Sequence, residues 1–166
     1  GNSGISKKAI ETLLANKNYS RSQTIKLALL FEKLRNIPGL DSLARYAAEV
    51  ASLSHAELTF DSIELLTRYN SEISRLSSIN TDFQIPSARS KTGTLVVPAA
   101  FDYLMWVETL DKFEQKASEH FASEKSKPRI EIYLSGRVSP RARDEINKIG
   151  WTIRETPSLD ANNSKS

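Results

Sequence analysis

The stretches Ile130-Glu-Ile-Tyr-Leu134, Ser135-Gly136-Arg137-Val138, Ser139-Pro-Arg-Ala-Arg-Asp-Glu-Ile-Asn-Lys-Ile-Gly150 and Trp151-Thr-Ile-Arg154 read in turn as strand, turn, helix and strand. Ile130, Ile132 and Leu134 alternate with Glu131 and Tyr133, the period of two that puts one set of side chains on each face of a sheet. Gly136 interrupts that alternation. Ser139 is placed to accept a hydrogen bond from a free N–H of the first helical turn, and Pro140 suits the first helical position, where no N–H is needed. Ala142, Ile146 and Ile149 share one helical face, and Gly150 allows the left-handed turn that ends the helix and starts the next strand. Strands that neighbour each other in such a β-α-β unit run parallel, with a right-handed crossover.

The turn into this helix is the chain's candidate anion site, weighed against a plain solvated turn. Arg137, Ser139, Arg141 and Arg143 surround a helix N-terminus whose unpaired N–H groups already favour negative charge. The stretch lacks the glycine spacing of a dinucleotide-binding or phosphate-binding loop, and arginines decorating a solvated turn would read the same way.

Outward from this unit, residues 101–121 read as a helix with Trp106, Leu110, Phe113, Ala117 and Phe121 as its core stripe, and 123–128 as a charged link. Residues 88–97 read as a hairpin around Lys91-Thr92-Gly93, with Leu95-Val96-Val97 as a strand ended by Pro98, and 80–86 as loop. Four helices fill the first half. Ser6 caps the first, which runs to Asn16. Ser20-Arg-Ser-Gln23 has capping-box form and opens the second, stopped by Pro38-Gly39. Ile25, Leu27, Ala28, Leu29, Leu30, Phe31 and Leu34 leave that second helix little polar surface, so it is expected to be central. Asp41 is read as the cap of the third helix, with Leu43, Tyr46, Ala47 and Val50 as its buried stripe. Ser54-His-Ala-Glu57 is read as a capping box opening the longest helix, with Phe60, Ile63, Leu66, Tyr69, Ile73 and Leu76 on one face.

The expected organisation is an α+β fold: a helical region over residues 1–79, packed on a small sheet completed by the C-terminal β-α-β unit. Residues 80–156 hold the hairpin, the helix and that unit, and form one domain with the first part. Residues 157–166 are expected to be a disordered tail.

Composition narrows the chemistry. Among 166 residues, 39% are hydrophobic and 26% charged, enough apolar material for a core without disulfides or metal. The absence of cysteine excludes thiol catalysis and cysteine-ligated metals. A balance of 23 basic against 20 acidic residues gives no case for nucleic acid, and no apolar run approaches the ~20 residues of a membrane span. The chain opens Gly1-Asn2-Ser3-Gly4 without methionine, which reads as the remnant of a cleaved tag, so an export signal or another domain is allowed upstream. Localisation is accordingly cytoplasmic or, after export, periplasmic or secreted.

No sequence motif marks an enzyme, and an enzymatic reading needs a cleft that brings His55 or His120 against Ser and Asp residues. Lys91-Thr92-Gly93 before an apolar strand resembles one element of the serine penicillin-recognising enzymes, but no serine has lysine three residues on and no Ser-Asp-Asn is present. His55 and His120 are isolated from each other, and neither has a second histidine four residues on. Asp61 with Glu64, and Asp111 with Glu114, are the carboxylate pairs, of a kind exposed helix faces carry routinely. Trp151, after a tight helix end, is expected to pack under the helix. Asn18-Tyr-Ser20 and Asn162-Asn-Ser164 have glycosylation spacing of little weight here. No cofactor or metal is implied. The leading expectation is a non-enzymatic interaction or accessory module of a larger bacterial protein or assembly, with a protein partner. Its surface is placed at Leu95, Val97, Phe101 and Tyr103. The alternative is an anion- or nucleotide-binding domain using residues 137–143.

Overall fold

In a computed structural model the strand Ile130–Ser135 (β4), the helix Pro140–Lys148 (α6) and the strand Thr152–Thr156 (β5) form the expected unit. β4 and β5 pair in parallel from Glu131↔Thr152 to Ser135↔Thr156. The structure describes residues 4–83, 85–100, 103–125 and 127–156, and of 103–109 the backbone alone. Ser139 caps α6 by accepting the Ala142 N–H at 3.2 Å, with Pro140 at the start of the helix. Ala142 and Ile146 are buried. Ile149 is 44% exposed, because the helix ends at Lys148 and the capping residue leaves its periodicity.

β4 lies inside a five-stranded mixed sheet of order β1-β2-β3-β4-β5, with β1 at Leu76–Asn80, β2 at Ser87–Ser90 and β3 at Leu95–Ala99. β1, β2 and β3 are successively antiparallel, and β3 runs parallel to β4 from Leu95↔Ile130 to Ala99↔Leu134. The hairpin around Lys91-Thr92-Gly93 is therefore real, but Pro98 does not end its second strand. β2 pairs with β3 only at Val96 and Leu95, so Pro98 lies past that pairing, where one side of β3 needs no N–H.

The sheet has two buried faces, and residue alternation assigns side chains to them. Val96 and Tyr133 join the core formed with the N-terminal helices, α1 (Lys7–Ala15), α2 (Arg21–Lys33), α3 (Leu40–Ala48) and α4 (Leu53–Glu72). Leu95, Val97, Ile132 and Leu134 join the opposite core with α6 and α5 (Tyr103–Phe121), whose Leu110, Phe113, Ala117 and Phe121 are buried as the stripe predicts. The result is the α+β architecture expected, with helices on both sides of the sheet.

Capping chemistry sets the N-terminal helices. Ser6 accepts the Ala9 N–H at the start of α1, and Ser20 with Gln23 forms a complete capping box on α2. Two expected caps are displaced. α3 is preceded by Gly39, and Asp41 accepts the Ser6 N–H at 2.8 Å while pairing with Arg45 at 3.2 Å. α4 starts two residues earlier than a Ser54 cap would allow, because Ser52 accepts the His55 N–H at 3.1 Å. α4 also stops at Glu72, and Leu76 belongs to β1 instead of the helix. Nor is α2 central: Leu27, Leu30, Phe31 and Leu34 are buried, but Ile25 and Leu29 face solvent.

The helical layer meets the sheet margin through the Pro38–Gly39 turn. The Ile79 N–H donates to the Pro38 carbonyl at 2.8 Å. Gly39 has φ of +96°, and a Cβ there would stand 2.0 Å from the Ile79 carbonyl oxygen. Both the left-handed conformation and the backbone contact demand glycine. Gly39→Ala is expected to cost about 2–4 kcal/mol, the sum of a positive-φ penalty and an overpacking penalty. Gly136→Ala, where a Cβ meets nothing within 4 Å, is expected to cost only the conformational part, about 1–2 kcal/mol. Urea unfolding of the two variants checks the difference.

Candidate functional site

The arginine-bearing helix N-terminus is well formed, and it already contains an internal carboxylate. Glu155, near the end of β5, forms an ion pair with Arg143, and its Oε1 accepts the Val138 N–H at 3.5 Å. The parallel register brings this about, since Glu155 pairs opposite Leu134 at the end of β4 where the chain turns toward α6. Arg137 and Arg141 remain exposed, and the Ser139 hydroxyl is occupied as a cap. Of the four residues, Arg143 thus contacts an acid of the same chain, Ser139 serves the helix, and two arginines face solvent.

The apolar stretch after the hairpin is placed differently from the expectation. Leu95 and Val97 are 3% and 0% exposed, packed with α5 and α6, so neither is a surface in the folded chain. The continuous apolar run Leu95-Val96-Val97 is the pattern of a strand covered on both faces, and all of Leu95–Ala99 is buried. Phe101 lies outside the described residues, as do the side chains of Tyr103 and Trp106.

The histidines have aromatic surroundings. The Tyr46 hydroxyl and His55 Nε2 lie 3.0 Å apart, with the rings edge-on. His120 stands edge-on to Phe83 and Phe121 in the last turn of α5. Glu64 pairs with Lys26 at 2.9 Å on the α2–α4 side. Asn16 and Asn18 donate from their side chains to the carbonyls of Ala48 and Val50, tying the α1–α2 connection to the end of α3. Trp151 is buried edge-on against Phe113 at 5.8 Å and also lines a cleft of ≈ 380 Å³ with Phe121 and Ile149. Among the described residues no group of three or more metal-ligating side chains comes together, and no helix is long and apolar enough to cross a membrane.

Beneath α4 lies a polar cluster that local reading of the sequence does not reveal. Glu131 is 9% exposed and accepts from Arg154 Nε at 2.9 Å across the β4–β5 ladder. The Tyr69 hydroxyl is within hydrogen-bonding reach of the same carboxylate, and the Tyr69 and Tyr133 rings meet edge-on at 5.2 Å. Burial, then the Glu131 carboxylate, pushes the Tyr69 phenol up to about 12. Burial likewise raises Tyr133, whose hydroxyl has no partner in hydrogen-bond geometry although Thr156 and Arg68 bear on it. The hydrogen bond to Glu131 holds the Arg154 guanidinium still more firmly in its charged form. A phenol held protonated beside a paired carboxylate binds its neighbours and does not exchange protons near neutrality. Glu131, Arg154, Tyr69 and Tyr133 together make the cluster a polar clamp between α4 and the sheet.

Two further open concavities are lined by described residues, and neither is signalled by a motif. A groove of ≈ 180 Å³ runs between α1 and α2, lined by Ile10, Leu13, Leu14, Ala28 and Phe31. A larger cleft of ≈ 540 Å³ lies among the α2–α3 turn, the α4–β1 link and the hairpin turn. Comparison with protein-family models, with curated proteins and with solved structures gave no significant match, so the functional reading rests on this geometry.

Tyr69 carries a prediction with a definite sign. A phenol whose folded pKa lies above its ordinary 10.0 contributes stability that is fully present below about pH 10 and is lost as pH rises toward 12. Tyr19, Tyr46 and Tyr133 are raised in the same direction, chiefly by burial, so stability is expected to fall steeply over that interval. Tyr69→Phe should cost about 1 kcal/mol near neutrality, by leaving a Glu131 lone pair unmet, and should flatten part of the alkaline decline. Urea midpoints measured across the alkaline range, alongside tyrosinate absorbance, check both.

Proposed function

We propose that this chain is a protein-interaction module and that its docking face is the α1–α2 corner. One observation carries the reading: Ile10, Leu14, Ile25 and Leu29 stand 42%, 66%, 59% and 61% exposed on these two neighbouring helices. Scattered exposed aliphatics are ordinary on a soluble protein, whereas several gathered beside an apolar groove mark an interaction surface. Ile10 and Leu14 overhang the groove from α1. Ile25 and Leu29, one helical turn apart on α2, follow directly on the groove-lining Thr24 and Ala28. Burying the remaining exposed area of each would contribute about 1 kcal/mol, a useful sum for a partner that fills the groove.

The partner chemistry that suits two adjacent helices with a shallow apolar seam is the apolar face of an amphipathic helix. Glu32 of α2 lines the groove and offers a charge beside its apolar residues, as an amphipathic partner would meet. The interaction role is thereby moved from residues 95–103, of which Leu95 and Val97 are core, to a region whose aliphatic side chains are already in water.

A photo-cross-linking amino acid at Ala28, which is exposed beside the groove, tests the reading in cells that make the protein. A discrete cross-linked polypeptide is expected. Leu14→Ser and Leu29→Ser should each weaken that product severalfold while changing stability by no more than about 0.5 kcal/mol. Absence of any product, or a product undiminished in both variants, would overturn the assignment.

A further inference from the structure

The ≈ 540 Å³ cleft is walled by cations from three separate parts of the chain: Lys33 and Arg35 at the end of α2, Arg75 in the α4–β1 link, and Lys91 in the hairpin turn. No carboxylate lines it. Two backbone hydrogen bonds fix its walls. The Lys91 N–H donates to the Arg75 carbonyl at 2.8 Å, and the Ile79 N–H to the Pro38 carbonyl at 2.8 Å. The Asn70 side chain, accepting the Leu76 N–H at 2.9 Å, holds the link on which Arg75 stands.

Local compensation does not account for this charge. Arg35 pairs with Glu32 at 3.2 Å, but Lys33, Arg75 and Lys91 form no ion pair among the described residues. The C-terminal ends of α2 and α4 point toward the cleft and contribute roughly half a negative charge each, which leaves about two positive charges unmet. Lys91, on a hairpin, has no helix end to offset. Cations brought together without a counter-charge repel one another, and a cleft that tolerates this is matched to an anion supplied from outside.

We propose that this cleft binds a small oligophosphate, either a free polyphosphate or the phosphate chain of a nucleotide. The volume falls within the ~300–1,000 Å³ of ordinary ligand sites. Multiply charged oxyanions are the ligands that several convergent Lys and Arg side chains select. A nucleic-acid strand is disfavoured, because such a partner needs a basic stripe along a face, whereas these cations ring one concavity on a chain of net charge +3. The site is distinct from the α6 N-terminus. Arg75 and Lys91 flank the paired Leu76 and Ser90 at the end of the sheet where β4 begins, while Arg137 follows the end of β4.

Isothermal titration of the whole chain with inorganic tripolyphosphate, with ATP and with a short single-stranded oligonucleotide tests this. One tripolyphosphate is expected to bind per chain, more weakly as salt rises. Arg75→Ala and Lys91→Ala should each weaken it roughly tenfold or more, Lys91→Arg should retain most of it, and paired Arg137→Ala and Arg141→Ala should leave it unchanged. Equal affinity for ATP identifies the phosphate chain as the whole recognition element, and tighter ATP binding adds the nucleoside; both support the cleft. All four substituted positions are exposed, so circular dichroism should match the parent. No heat with tripolyphosphate, loss on the Arg137 and Arg141 changes instead, or tighter binding of the oligonucleotide would overturn the proposal.

Discussion

Strands β3 and β4 are buried on both faces, and that double burial is the constraint from which the other elements take their positions. Val96 and Tyr133 must be covered on one side, Val97 and Ile132 on the other. A sheet with two apolar faces is stable only when helices cover both. α4 meets one face, while α5 and α6 meet the other. The remaining helices extend the first layer, and the Pro38–Gly39 turn seals that layer against β1. Where the helices end short of the strands, clefts are left, and the basic one lies at such a seam.

The β-α-β unit was legible in the sequence because every local signal agreed. Ser139, Pro140 and Gly150 each have one natural place, and strand alternation on either side leaves no second reading. β1 was not legible, and the reason is physical. The β1–β2 register shifts between Leu76 and Ser78, a bulge at which the Ser77 hydroxyl donates toward the Arg89 carbonyl. The extra residue inverts the alternation, so Leu76 and Ile79, three apart, face the same core. Three is also a helical spacing. Read along the chain, Leu76 therefore continues the stripe of α4, and the strand disappears into the helix.

Function was less legible than fold for a related reason: the decisive contacts join residues far apart in sequence. Arg143 meets Glu155 only because β5 lies parallel to β4. Arg75 meets Lys91 only because β1 pairs with β2. Leu95 and Val97 looked like a surface because many apolar residues gather beside a turn there, and that count does not say what covers them. In the other direction, α2 looked central because it is apolar nearly all round, yet Ile25 and Leu29 stand exposed among the described residues.

The two margins of the sheet are finished in opposite ways. At β1 the Pro38 carbonyl takes up an N–H that would otherwise be available to another strand. Among the described residues β5 pairs with β4 alone, and it carries Arg154 and Glu155, which reach inward to Glu131 and Arg143. Charged side chains on a bare margin discourage the main chain of a second molecule from pairing there. The five described strands thus have one margin plugged by a carbonyl and the other carrying charge, two different ways of discouraging edge pairing without closure into a barrel.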